Sequence, residues 1–132
     1  MHRVQSPTRR QKTPRQQTSA VLAMARLAVD VASEKQASDI LMLDVRKLTP
    51  FTDYIIILTA DNLRQINALA EDIRIGLKTE GVELHHREGT PESGWVLMDF
   101  ADVVVHIFAP NQRTFYSLER VWEDARQVVR IQ

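Results

Sequence analysis

Apolar residues recur along this chain at two periods, and the switches between them mark out its elements. Val21, Leu22, Ala25, Ala28, Val29 and Ala32 fall on one side of a 3.6-residue helix, with Ser19 placed to cap it and the end expected around residues 33–36. Ile40 to Val45 reads as a first strand, and Lys47 to Thr52, with Pro50, as a loop. Tyr54 to Thr59 contains three consecutive isoleucines and is apolar on both faces, which predicts a strand in the middle of a sheet. The helical period returns in Leu63, Ile66, Leu69, Ala70, Ile73 and Leu77, behind Asn62 and Gln65 in capping-box spacing and ahead of a terminating Gly81. Gly76 inside that helix points to close packing or simple tolerance. Val82 to His86 is a weak third strand. Asn111, after Pro110, is expected to cap a last helix with Phe115, Leu118, Val121, Trp122 and Ala125 turned inward. The fold class is therefore α/β, with a mixed sheet of about five strands and three helices.

Gly94 to Phe108 carries the most information. Two short runs of β-branched and aromatic residues flank Ala101 and Asp102, the pattern of an antiparallel hairpin. With those two residues as the turn, Trp95 faces Phe108, Leu97 faces His106 and Asp99 faces Val104. Strand parity then places Val96, Met98, Phe100, Val103, Val105 and Ile107 on one wholly apolar face. Trp95, Leu97, Asp99, Val104, His106 and Phe108 share the other. Aromatic anchors beside a few polar groups suit a recognition surface. A second layer of helices over a sheet covered on both sides would suit the same residues equally well.

Composition narrows the class. A chain of 132 residues with 44% hydrophobic residues is expected to be one soluble domain with a sizeable core. It has no cysteine, so disulfides, thiolate zinc sites and thiol catalysis are excluded, and the cytoplasm is the expected location. No apolar run approaches the length of a membrane span. Charge is balanced overall at 17 basic and 17 acidic residues, but Arg3, Arg9, Arg10, Lys12 and Arg15 all precede the first acid. The remainder carries twelve basic against seventeen acidic residues, a net of about −5, which favours a basic protein partner. Residues 1–18 are expected to form a disordered basic extension, 19–126 the domain and 127–132 a C-terminal tail. A polybasic arm of that kind suits contact with phosphate backbones, and an Arg-rich, acid-poor start equally suits a targeting peptide or a plain solvated extension.

Asp44, Asp53, Asp99 and Asp102 are placed at strand ends, where a magnesium-dependent nucleotidyl-transfer site could assemble. Against it, the chain has only four glycines and none builds a phosphate-binding turn before a helix. His85 and His86 are adjacent and would point to opposite faces of a strand, leaving no convergent metal set. His106 opposite Leu97 and near Asp99 lacks a serine or cysteine nucleophile in any recognisable motif.

Four ordered blocks carry a family resemblance: Asp39-Ile40 to Leu43-Asp44-Val45; Thr52-Asp53-Tyr54-Ile55-Ile56-Ile57; the whole of Gly94 to Phe108; and Arg113-Thr114-Phe115-Tyr116-Ser117-Leu118-Glu119-Arg120-Val121-Trp122. Over about residues 20–123 the chain resembles the ribosomal silencing factors, or Iojap-like proteins. It departs from their pattern in Asn62, where serine is usual, in Ala101, where glycine is usual, and in its two terminal extensions. The resemblance implies a nucleotidyltransferase-like core without its catalytic set, no enzymatic activity and no cofactor. It implies binding to a protein of the large ribosomal subunit, ribosomal protein fourteen by number, at the intersubunit face. That would block joining of the small subunit and repress translation, while organellar relatives act in large-subunit assembly. It also implies a homodimer when free. By carry-over, Trp95, Asp99, Asp102 and His106 match the ribosome-facing motif, with Leu97 and Phe108 on the same face and Tyr116 beside it.

Overall fold

The computed structural model describes the backbone of residues 14–132 and side chains from residue 19 onward. The expected disorder of residues 1–18 lies mostly outside the described residues. Its last five positions are helical: α1 runs Pro14–Glu34, so Ser19 sits inside the helix rather than capping it. The chain continues through β1 (Ser38–Asp44), β2 (Tyr54–Thr59), α2 (Leu63–Thr79), β3 (His86–Glu88), β4 (Trp95–Asp99), β5 (Val103–Phe108), α3 (Pro110–Tyr116), α4 (Leu118–Val121) and β6 (Arg126–Ile131). These strands form one sheet in the order β3-β4-β5-β2-β1-β6.

Tyr54 to Thr59 is central, as its apolar run requires: all six residues are buried, with β1 antiparallel on one side and β5 parallel on the other. The parallel pair is thus β2 with β5. β3 is shorter and later than the Val82 to His86 expectation and lies at the edge, against β4. The sheet has six strands rather than five, because residues 126–131, expected mostly as a tail, pair antiparallel with the free edge of β1. A short segment without alternation becomes a strand here because β1 offers it unpaired backbone groups.

Both long helices cover one face of the sheet. Ala25, Ala28 and Ala32 of α1 and Ile66, Leu69, Ala70, Ile73 and Leu77 of α2 are completely buried against Ile40, Met42, Ile56, Leu58, Val105 and Ile107. Small residues on α1 let its backbone approach, and a Cβ added to Gly76 of α2 would stand 3.2 Å from a methyl of Val31, so that glycine serves close helix packing. Leu63, expected in the buried stripe, is exposed in the first turn of α2. The Asn62 side chain accepts from the Gln65 backbone N–H at 2.9 Å, but the Gln65 side chain accepts from Asp61 at 2.6 Å, one residue before the position a capping box requires. At the far end Gly81, at φ 81°, lets the chain close on the Leu77 and Lys78 carbonyls.

The last helix departs most from expectation. It begins at Pro110, with Ala109 rather than Asn111 at the cap position, and breaks at Ser117, whose φ of 45° separates α3 from α4. Leu118, Trp122 and Ala125 turn inward onto a second cluster of Leu41, Leu43, Val45, Ile55, Ile57 and Phe108. Phe115 and Val121 do not, since the break rotates them out to solvent.

Candidate functional site

The hairpin has the register its parity predicts: Trp95 opposite Phe108, Leu97 opposite His106 and Asp99 opposite Val104. The Phe100 N–H donates to Val103 across the turn at 2.9 Å, and Ala101 takes φ 74°. A left-handed alanine costs about 1 kcal/mol or more, which explains why glycine suits this position better. The Asp99 carboxylate offsets part of that cost by accepting from the Ala101 N–H at 2.7 Å. At the other end of β4, Gly94 brings α3 close: a Cβ there would meet the Gln112 side chain at 2.6 Å.

Across the second sheet face the aromatic side chains of this hairpin stack on one another. Trp95 lies 5.0 Å from Phe108 between ring centroids and 4.4 Å from Tyr116, with His106 at 5.8 Å. Phe108, expected as an exposed anchor, is fully buried beneath Trp95 and backs the indole instead of meeting a partner. Trp95 is half-buried, Tyr116 is 45% exposed, and Phe115 stands edge-on to Tyr116 at 79% exposure. Leu97 and Val104 continue the patch, both half-buried.

His106 is 6% exposed, and the Trp95 indole N–H donates to its Nδ1 at 3.1 Å. An indole nitrogen can only donate, so Nδ1 accepts and the neutral ring carries its proton on Nε2. Burial pushes the imidazole pKa down to about 4, since the charged form loses its hydration. The histidine therefore acts as a neutral clamp that orients Trp95.

Tyr116 and Phe115 reach the patch because α3 is anchored by Arg113, a residue that helical periodicity did not single out as functional. Its buried guanidinium donates to the Asp39 carbonyl, to Thr59 Oγ1 at 2.9 Å and to Glu119 at 3.1 Å. The only hint in the sequence is an arginine at a helix position that must face the sheet, and its partners lie 54 and 74 residues away.

The other expected site residues separate. Asp99 shares the aromatic face by parity, with one oxygen committed to Ala101. Asp102 is exposed at the hairpin tip and lines a groove beside α1, away from Trp95. Asp44 is held by Arg46 at 2.6 Å, and that hydrogen bond lowers its pKa to about 2. Asp53 is raised by burial and then by the neighbouring Asp102 charge. His86 pairs with Glu88 at 2.8 Å. Among the described residues, no three His, Asp or Glu side chains converge as a metal site would require.

Comparison with known proteins adds a family to this geometry. The model of the family described as "Ribosomal silencing factor during starvation" matches residues 16–132. The chain is 35% identical over 103 residues to the ribosomal silencing factor RsfS of Bacillus subtilis, covering 78% of this chain and 87% of that protein. It is 40% identical over 107 residues to the chloroplastic protein Iojap of Zea mays, covering 81% of this chain and 46% of the maize protein. A crystal structure of a Chromobacterium violaceum protein superposes with a TM-score of 0.75 at 36% identity, covering 78% of this chain and 86% of that one.

Proposed function

The chain belongs to the ribosomal silencing factor family, and we propose that it represses translation by binding the large ribosomal subunit and excluding the small one. Its contact there is ribosomal protein fourteen of the large subunit, at the face that the small subunit must meet. The observation that carries this reading is the half-covered aromatic patch of Trp95 and Tyr116, with Leu97 and Asp99 beside it and Phe108 and His106 holding it from below. Rings already stacked and hydrogen-bonded before the partner arrives lose little freedom on binding, which is what interface anchors require. The Asp99 carboxylate beside the patch suits a basic ribosomal protein, with charge setting orientation and on-rate more than affinity.

The mechanism is steric. No bond is made or broken, no cofactor takes part, and repression lasts as long as the surface is occupied. The basic N-terminal arm adds weak contact with ribosomal RNA, and the free protein is a homodimer in the cytoplasm. No helix among the described residues is long and apolar enough to cross a membrane.

Co-sedimentation with isolated large and small subunits tests the reading, using the wild type and Trp95→Ala. The expected result is wild-type binding to the large subunit alone, with failure of the subunits to join, both lost in the variant. Wild-type protein that pellets with neither subunit, or that binds without impeding joining, would overturn it.

A further inference from the structure

A groove of about 1370 Å³ opens at the other side of the hairpin, between α1, the end of α2 and the Phe100 to Asp102 turn. Met24, Leu27 and Val82 give it an apolar floor, and they pack half-buried against the main core. Its walls carry Asp30, Asp53, Glu80, Glu83 and Asp102 against a single Arg26 and the exposed His85. Among the described residues none of those five carboxylates has an ion-pair partner. Burial and the Asp102 charge both act against ionisation of Asp53 and Arg46 offsets part of this, the net remaining upward, so a further cation brought to this place would be favoured.

A cationic segment is tethered beside it. Residues 1–13 carry Arg3, Arg9, Arg10 and Lys12 and no acid. They lead into α1, whose residues from Ala20 onward line the groove. The direction of α1 is favourable. Its C-terminal end leads to Ser38, which pairs with Thr59 at the far end of β2, so its N-terminal half lies at the Asp53 end where the groove is. The helix extends about 9 Å from Ala20 back to Pro14. Thirteen extended residues reach at most about 43–47 Å. That is enough to turn back and run the roughly 15 Å from Ala20 to Asp30. A short tether also raises the local concentration of the segment to the order of millimolar.

We propose that in the free protein the N-terminal segment, residues 1–13, folds back into this groove, its arginine and lysine side chains meeting the five carboxylates and their alkyl stems lying on the Met24, Leu27 and Val82 floor. The groove and the aromatic patch occupy opposite faces of the hairpin, so the arm in the groove leaves Trp95 and Tyr116 uncovered. RNA phosphates must then compete with the groove for the arm.

The absence of cysteine makes a direct test clean. A nitroxide on Ser6→Cys in the full chain should broaden the amide signals of Glu80 to Glu83 and Phe100 to Asp102. The broadening should disappear at about 0.5 M salt, where screening acts within a few ångströms. It should also be lost in the Glu80→Gln, Glu83→Gln double variant, both exposed positions. In the same variant, trypsin should cut after Arg9, Arg10 and Lys12 about fivefold faster than in the wild type, the effect of losing two exposed ion pairs. Broadening that falls on another face, survives the double variant or grows with protein concentration overturns the proposal, as does equal cleavage in the two proteins.

Discussion

The two faces of the central sheet are built on opposite terms. One is aliphatic and closed by two long helices, with Ile40, Met42, Ile56, Leu58, Val105 and Ile107 all removed from water. The other is partly aromatic and is covered by two short helices broken at Ser117. It also buries polar groups: Arg113, His106 and one oxygen of Glu119 that has no partner among the described residues. Burying such groups stabilises less than aliphatic packing would, and an unpaired buried oxygen is a cost. The difference teaches where each task lies. The closed face supplies most of the apolar burial, and the half-open face leaves Trp95 and Tyr116 partly exposed but held in place.

The sharpest way to break that division is to truncate a residue on the closed face. Ile56→Ala should cost about 2–5 kcal/mol of folding stability in denaturant titrations, by lost burial and a residual cavity. The molecules that remain folded should bind the large subunit as before. A weakened affinity per folded molecule would show that the two faces are not separable.

Trp95→Ala should reverse the pattern, costing roughly 2–4 kcal/mol of large-subunit affinity with the fold retained. Melting curves and far-ultraviolet spectra beside the binding titration decide this. A variant that unfolds would move Trp95 to the stabilising side of the comparison.

His106 asks how dry the second face is. Its folded pKa of about 4 lies below its ordinary value of 6.5, so between those values the unfolded chain binds a proton that the folded one refuses. The stability it protects is therefore intact above pH 6.5 and is lost as pH falls toward 4, by up to about 3 kcal/mol. Replacing it, as in His106→Gln, should flatten this part of the pH–stability curve. An unchanged slope would mean that water reaches the imidazole.

The smallest effect falls on the turn that both faces share. Ala101→Gly removes the left-handed strain at φ 74° and should raise stability by about 0.5–1 kcal/mol after the extra chain entropy of glycine. Binding should not change, and a loss of affinity would show that the turn itself meets the partner.

Much of this molecule was legible locally. Tyr54 to Thr59 was a central strand from its composition, and the hairpin register followed from parity and a two-residue turn, because both depend only on neighbours along the chain. The shared face of Trp95, Leu97, Asp99, His106 and Phe108 was settled in the same way. Parity, however, gives Trp95 and Phe108 the same direction and does not say which one solvent will see. That was decided by where α3 lands, which depends on Arg113 reaching Asp39 and Thr59 and on the reversal at Ser117. β6 was hidden for a related reason, since Arg126 to Ile131 has adjacent valines and no two-residue period, and it becomes a strand because β1 has a free edge. Which residues share a face follows from the order of amino acids alone, because side-chain direction along a strand is a local property. Which of them are covered depends on the folded arrangement, because cover comes from elements distant in the chain.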